Sequence, residues 1–168
     1  KQMKLYGMHG AFKTAVETGK TDHYTIDQFV SMITDAEWDE RHNRKIERII
    51  KNAKFHYKSS IENIIFDQSR NLERTLILRL GECGFVEKNE NILITGSTGV
   101  GKSYMATALG YQACIQGYRV SYYNTSKLFT RLKMAKADGS YLKELTKIEK
   151  QDVIILDDFG LQALDSQN

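Results

Sequence analysis

Two short stretches of this chain bring together residue types that could handle a phosphate group. Gly96-Ser97-Thr98-Gly99-Val100-Gly101-Lys102-Ser103 fits the pattern G-x-x-x-x-G-K-[ST]. Glycines at this spacing let backbone N–H groups turn inward around phosphate oxygens. A helix opening at the end of the loop adds a field that favours the anion. Lys102 would reach the β- and γ-phosphates of a nucleotide, and the Ser103 hydroxyl would bind Mg2+. The nucleotide-binding set is then Gly96, Ser97, Thr98, Gly99, Val100, Gly101, Lys102, Ser103 and Tyr104. The second stretch is Val153-Ile154-Ile155-Leu156-Asp157-Asp158, four apolar residues that deliver two acids to one point. Asp157 would hold the Mg2+, and Asp158 would polarise an attacking water. The plainer readings are a glycine-rich turn that binds nothing and a strand that ends in solvated acids.

The elements around these residues must place them together. Asn91–Thr95 reads as a short buried strand leading into the loop. A helix is predicted from Gly101 to about Gln116, with Gly117 where a C-terminal glycine belongs. Val120–Tyr123 reads as a second strand. Lys127–Ala137 reads as a helix capped by Thr125 or Ser126, and Tyr141–Glu149 as another. Val153–Leu156 is apolar throughout, as suits a strand buried on both faces of a parallel sheet. Strand–helix–strand order predicts α/β layering, with ligands at the carboxyl edge of the sheet.

The region before residue 80 reads as helical. Leu5, Met8, Phe12 and Val16 recur at helical spacing, and Gly19 offers a stop. Thr25-x-x-Gln28 is a capping-box pattern. A further helix is expected over Trp38–Tyr57, and another near Leu72–Leu80. Between Arg41 and Lys58 stand seven basic residues and one acid, a local charge of +6 against +3 for the whole chain. Arg41, Arg44, Arg48, Lys51 and Lys58 fall close to one helical stripe, with Lys45 in the same stretch, and would contact the phosphates of duplex DNA or simply face solvent. Lys127, Arg131, Lys133 and Lys136 form a second cluster with the same two readings. Phe85 and Val86 would line an adenine pocket or pack in the core. Tyr122, Tyr123 and Phe129 read as core residues.

Composition excludes other classes. The chain has 168 residues, 41% apolar and 27% charged, which is globular and not disordered. No run approaches the roughly 18 apolar residues of a membrane span, and the N-terminus has no apolar signal core. Two cysteines, Cys83 and Cys114, form no Cys-x-x-Cys, which argues against a disulfide scaffold or a zinc site. They read as buried apolar residues in a reduced, cytoplasmic setting. There is no proline to break a long helix.

The loop Gly96–Ser103, the stretch Gly117-Tyr118-Arg119-Val120 and Asp157-Asp158-Phe159-Gly160 together resemble the IstB-like ATPases. Lys4-Leu5-Tyr6-Gly7-Met8 and Ala137-Asp138-Gly139-Ser140 resemble further segments of the same family. These are transposition helper proteins of insertion sequences, related to DnaC-type helicase loaders in the AAA+ class. The resemblance implies a P-loop NTPase (AAA+) fold, a three-layer parallel sheet preceded by a small all-helical N-terminal domain. It implies residues 1–80 for DNA or partner binding and 81–168 for the first part of the ATPase domain. ATP and Mg2+ are the implied cofactors. Duplex DNA, a transposase and further copies of the chain, in a ring or helical oligomer, are the implied partners. Lys102, Asp158 and Asn124 take the catalytic roles, Asn124 as the polar residue that senses the water-activating acid, or as a plain cap. Many relatives have Glu where Asp158 stands. The resemblance also implies a strand between those of residues 91–95 and 153–156, and a longer protein to supply it. The rival readings are a helicase loader, a nucleotide-binding module without turnover and, more remotely, a small-molecule kinase.

Overall fold

A computed structural model describes residues 3–19, 21, 24–66 and 72–160. Their packing divides between Arg48 and Ile49 into two units. That boundary lies inside a helix and well before residue 80, where the pattern of the sequence changes. The reason is apolar packing. Ile49, Ile50, Ala53, Phe55, Ile61, Ile64 and Ile77 precede residue 80, yet they belong to the cores of the second unit.

The first unit contains helix α1 (Tyr6–Glu17) and most of helix α2 (Ile26–Ala53). The capping box forms as expected: the Thr25 N–H donates to Gln28 Oε1 at 3.1 Å, and the Gln28 N–H donates to Thr25 Oγ1 at 3.4 Å. The two helical stretches expected on either side of Trp38 are one helix, because neither glycine nor proline interrupts residues 26–53. It stops at Ala53, short of Tyr57, where Lys54 turns left-handed at φ 58°. The face of α1 also differs from the expectation. Phe12 and Val16 are half exposed, and Ala15 is the buried residue. Gly7, Ala11 and Ala15 make a small-residue stripe at spacings of four. A Cβ at Gly7 would lie 2.2 Å from the Ala36 carbonyl oxygen, so only glycine allows this approach of α1 to α2. Glu37 of α2 then serves as the cap that α1 lacks. Its Oε2 accepts the N–H groups of Gly7 and Met8 at 2.9 and 3.3 Å, and Arg41 Nε donates to Oε1 at 2.6 Å.

The second unit carries α3 (Arg74–Gly81), α4 (Gly84–Glu87), α5 (Lys102–Ile115), β1 (Val120–Asn124), α6 (Thr125–Ala137), α7 (Tyr141–Glu149) and β2 (Val153–Asp157). The strands pair in parallel, from Val120 opposite Val153 to Asn124 opposite Asp157. The α5 helix packs closely on β2, with Gly110 against the Ile155 side chain. Its end is closed by Gly117 N–H on Cys114 O and Tyr118 N–H on Ala113 O, at 2.9 and 3.0 Å. One core gathers Ala53, Cys83, Ala113, Cys114 and Val120, with Phe85, Val86, Val153 and Ile155 around it. A second gathers Ile61, Ile64, Ile77, Ala108 and Leu109. Both cysteines are free and buried, and burial pushes the Cys114 thiol up to about 12. At the amino edge of the strands, Arg119 clasps Asp152 through its side chain and its backbone N–H.

Three expectations for this unit are corrected. Asn91–Thr95 forms no ladder, because no described segment lies hydrogen-bonded beside it. Its Ile92 and Ile94 are half-buried while Leu93 is exposed, the two-residue period of a strand without its partner. The described sheet therefore has two strands, β1 and β2. The β2 strand is not buried on both faces. Ile154 and Leu156 are each 41% exposed and alternate with half-buried Val153, Ile155 and Asp157. Lastly, α6 begins at Thr125 and Asn124 is its cap, accepting the Lys127 N–H at 3.2 Å. Among the described residues, no helix is long and apolar enough to cross a membrane.

Candidate functional site

The candidate site lies where α5 begins and β1 and β2 end. Gly99 (φ 84°) and Gly101 (φ 95°) hold left-handed conformations, and Gly101 is the residue from which α5 starts. Side chains rarely tolerate these angles, so the glycines of the motif are required by the backbone as well as by the ligand. No side chain caps α5, which leaves its first-turn N–H groups turned toward the loop. Lys102 Nζ donates to the carbonyl oxygens of Gly96 and Ser97 at 2.9 and 2.8 Å, so the ammonium is held over the loop. The Tyr104 side chain packs against the second core, leaving its backbone N–H as what it offers a phosphate.

Parallel register carries the acids to the same place. Asn124 and Asp157 form the last rung of the ladder, and Asp158 follows. Ser103 Oγ donates to Asp157 Oδ1 at 2.8 Å, which joins two residues 54 positions apart in sequence. The Asp158 N–H donates to the same oxygen at 3.1 Å, and the Tyr122 hydroxyl donates to Oδ2. Partial burial pushes the Asp157 carboxyl up. The bonds from Tyr122, Ser103 and the Asp158 N–H, with His56 nearby, outweigh burial and hold it below the usual aspartate value. The Tyr122 phenol is pushed up, first by burial and then by this carboxylate. Ser103 and Asp157 therefore present a hydroxyl and an ionised carboxylate side by side. These are the hard oxygen donors that Mg2+ takes, so the residues present fit that ion.

Asn124 makes contacts on two sides. Its Oδ1 caps α6, and its Nδ2 donates to Asp158 Oδ2 at 2.8 Å. Asp158 is exposed, with φ 57°, a left-handed conformation that aspartate adopts more readily than most residues. The site thus brings together Lys102, Ser103, Asp157, Asp158 and Asn124, as the motifs require. Three contributors escape motif reading. Tyr122 is 7% exposed and part of the interior, yet its hydroxyl reaches the site. Thr125 Oγ1 donates to the Asp157 carbonyl oxygen at 2.8 Å. The His56 ring lies 5.3 Å from that of Tyr122. A period-two reading from Asn124 puts Tyr122 on the same face of β1; no comparable signal marks His56. Phe85 and Val86 pack against the first core.

The basic residues divide by their partners. On α2, Arg41 is paired with Glu37 and Arg44 with Glu40, at 2.6 and 3.2 Å, and Arg44 also lies over the Tyr6 ring. Lys45, Arg48 and Lys51 are exposed, with no ion pair among the described residues. On α6, Arg131 pairs with Glu144 and lies over Tyr123, and Lys136 lies over Tyr141. Lys127 and Lys133 are exposed.

The chain is similar to known proteins along its whole length. Residues 1–168 match the family described as IstB-like ATP binding protein. The chain is 37% identical over 165 residues to the "Insertion sequence IS1162 putative ATP-binding protein" of Pseudomonas fluorescens, covering 98% of this chain and 71% of that protein. It is 32% identical over 159 residues to the "Insertion sequence IS21 putative ATP-binding protein" of Pseudomonas aeruginosa, covering 95% of this chain and 60% of that protein. The chain thus spans about two thirds of the length of the curated relatives it matches. By its phosphate loop, by the acids that the loop meets and by likeness along its whole length, the chain belongs to the IstB-like ATP-binding family.

Proposed function

We propose that this chain is part of an ATP-hydrolysing, DNA-binding helper of a transposase. The observation that carries the reading is the meeting of the Lys102 loop, the Ser103–Asp157 bond and the Asn124–Asp158 bond at one edge of the strands. In this reading the backbone N–H groups of the loop and Lys102 bind the phosphates and draw off charge as the γ-phosphoryl group leaves. Ser103 and Asp157 would hold Mg2+, which when bound supplies a Lewis acid at the phosphate oxygens. Asp158 accepts a proton of the attacking water as its oxygen bonds to phosphorus and the bond to the ADP oxygen breaks. Asn124 keeps that carboxylate aimed. The relatives' names place those proteins in insertion sequences, which supports a transposase as the partner. The exposed Lys45, Arg48 and Lys51 support duplex DNA as a second, and an oligomer with ATP between subunits completes the proposal.

The test is ATP hydrolysis by the full-length protein, with and without duplex DNA, beside Lys102→Ala. Turnover that DNA stimulates and the variant lacks is the expected result. No turnover under either condition overturns hydrolysis and leaves a nucleotide-binding module. A pull-down that recovers a replicative helicase and no transposase would replace the transposase with a helicase.

A further inference from the structure

The two oxygens of Asp157 are held from opposite sides. Oδ1 accepts from Ser103 Oγ and from the Asp158 N–H, and Oδ2 accepts from the Tyr122 hydroxyl. Tyr122 stands on β1 opposite Ile155, two residues short of the rung that Asn124 makes with Asp157. Residues two apart on a strand share a face, so Tyr122 and Asp157 are diagonal neighbours. A phenol is long enough to span that step; a serine or threonine at 122 would stop short of it. The ring is buried and flanked by His56 at 5.3 Å, and a packed interior keeps such a ring in one rotamer.

A carboxylate with one hydrogen bond swings about its terminal torsion, which is broad and roughly two-fold. A second bond to the other oxygen removes that freedom. We propose that Tyr122 is a positioning residue for Asp157: its hydroxyl holds Oδ2 and so keeps Oδ1, the oxygen beside Ser103, presented to the divalent cation of a nucleoside triphosphate. The inference rests on Ser103 and Asp157 as the holders of Mg2+. The choice of donor matters. A lysine or arginine in this place would fix the carboxylate equally well and cancel the charge that attracts the cation. A neutral phenol fixes it and leaves the charge in place. Partners of metal-holding carboxylates act in this way, and removing one typically weakens the metal by about 10–100-fold.

The experiment uses the full-length protein and Tyr122→Phe, which keeps the buried ring and removes only the donor. Thermal melting is followed with ATP while Mg2+ is titrated, and again with ATP in chelator. The half-saturating Mg2+ concentration is expected to rise about tenfold, with the melt in chelator nearly unchanged. An unchanged half-saturation overturns the proposal. Asp157→Asn, measured alongside, separates two failures. If it raises the Mg2+ requirement and Tyr122→Phe does not, the role of Tyr122 alone is wrong. If neither variant moves it, the assignment of Mg2+ to Asp157 falls as well. Should Tyr122→Phe not melt cooperatively, 3-fluorotyrosine at position 122 gives an independent readout. Its fluorine resonance should move when Mg2+ joins the ATP complex, and a resonance that stays in place overturns the proposal.

Discussion

Two carboxylates, one in each unit, are held by three donors apiece, and the donors differ in kind. Glu37 accepts two backbone N–H groups from the start of α1 and one bond from the guanidinium of Arg41. Asp157 accepts from a serine, a tyrosine and one backbone N–H, with no lysine or arginine among its partners. Both sit below their ordinary pKa. The Arg41 bond is the main cause for Glu37; for Asp157, hydrogen bonds, with His56 nearby, outweigh burial. Glu37 has its charge answered within the fold, so its work is to join two helices. Asp157 has no lysine or arginine bound to it, only His56 nearby, and in the proposed reading a cation completes the site. A guanidinium answers the acid of the first unit; two hydroxyls and a backbone N–H hold that of the second.

The comparison can be broken by exchanging its consequences. Asp157→Asn keeps the shape and removes the charge. Turnover of ATP by the full-length protein should fall by roughly 10²-fold or more, while the melt without ligand hardly moves. A large loss of stability with turnover intact would reverse the roles assigned above. Next in size is the first unit. Gly7→Ala places a Cβ on the Ala36 carbonyl and should cost roughly 1–3 kcal/mol in denaturant melts, with nucleotide affinity unchanged. Glu37→Gln should also lower stability, and its pH dependence sharpens the point. A carboxyl held below its ordinary 4.5 stabilises the fold above that value and loses the contribution as pH falls through the folded value. The deficit of Glu37→Gln should therefore be full at pH 7 and shrink as the pH falls below 4.5. A deficit independent of pH would mean that the charge of Glu37 does nothing. The smallest effect concerns DNA. Replacing Lys45, Arg48 and Lys51 with alanine should flatten the dependence of log K on log salt by up to about 3 units. Replacing Arg41 and Arg44, already paired with Glu37 and Glu40, should flatten it less. An unchanged slope in both would remove α2 as a phosphate contact.

The candidate site was legible because its motifs are local. The loop Gly96–Ser103 and the run ending in Asp157-Asp158 are contiguous motifs, and each needs only a strand end and a helix start around it. What stayed hidden depends on pairing across long separations. Glu37 lies in the middle of a charged helix, and nothing adjacent says that it faces the start of α1. Tyr122 read correctly as an interior residue, yet burial does not tell where a phenol's hydroxyl ends. The boundary near residue 80 follows a change in periodicity, whereas packing follows the isoleucines between 49 and 77 into the second unit. Asn91–Thr95 has the alternation of a strand, but a strand also needs a neighbour, and alternation cannot supply one.

The left-handed backbone of Asp158 limits what substitution can reach there. Glycine fits at no steric cost, and asparagine and aspartate fit at little. Every other residue meets a penalty of about 1–2 kcal/mol at such an angle. Glycine brings no side chain, and asparagine cannot take up a proton. Aspartate satisfies both the backbone and the chemistry proposed for it, and the longer acid glutamate would meet that penalty at this angle. Position 158 therefore answers to two unrelated filters, one set by the backbone and one by the chemistry proposed for it.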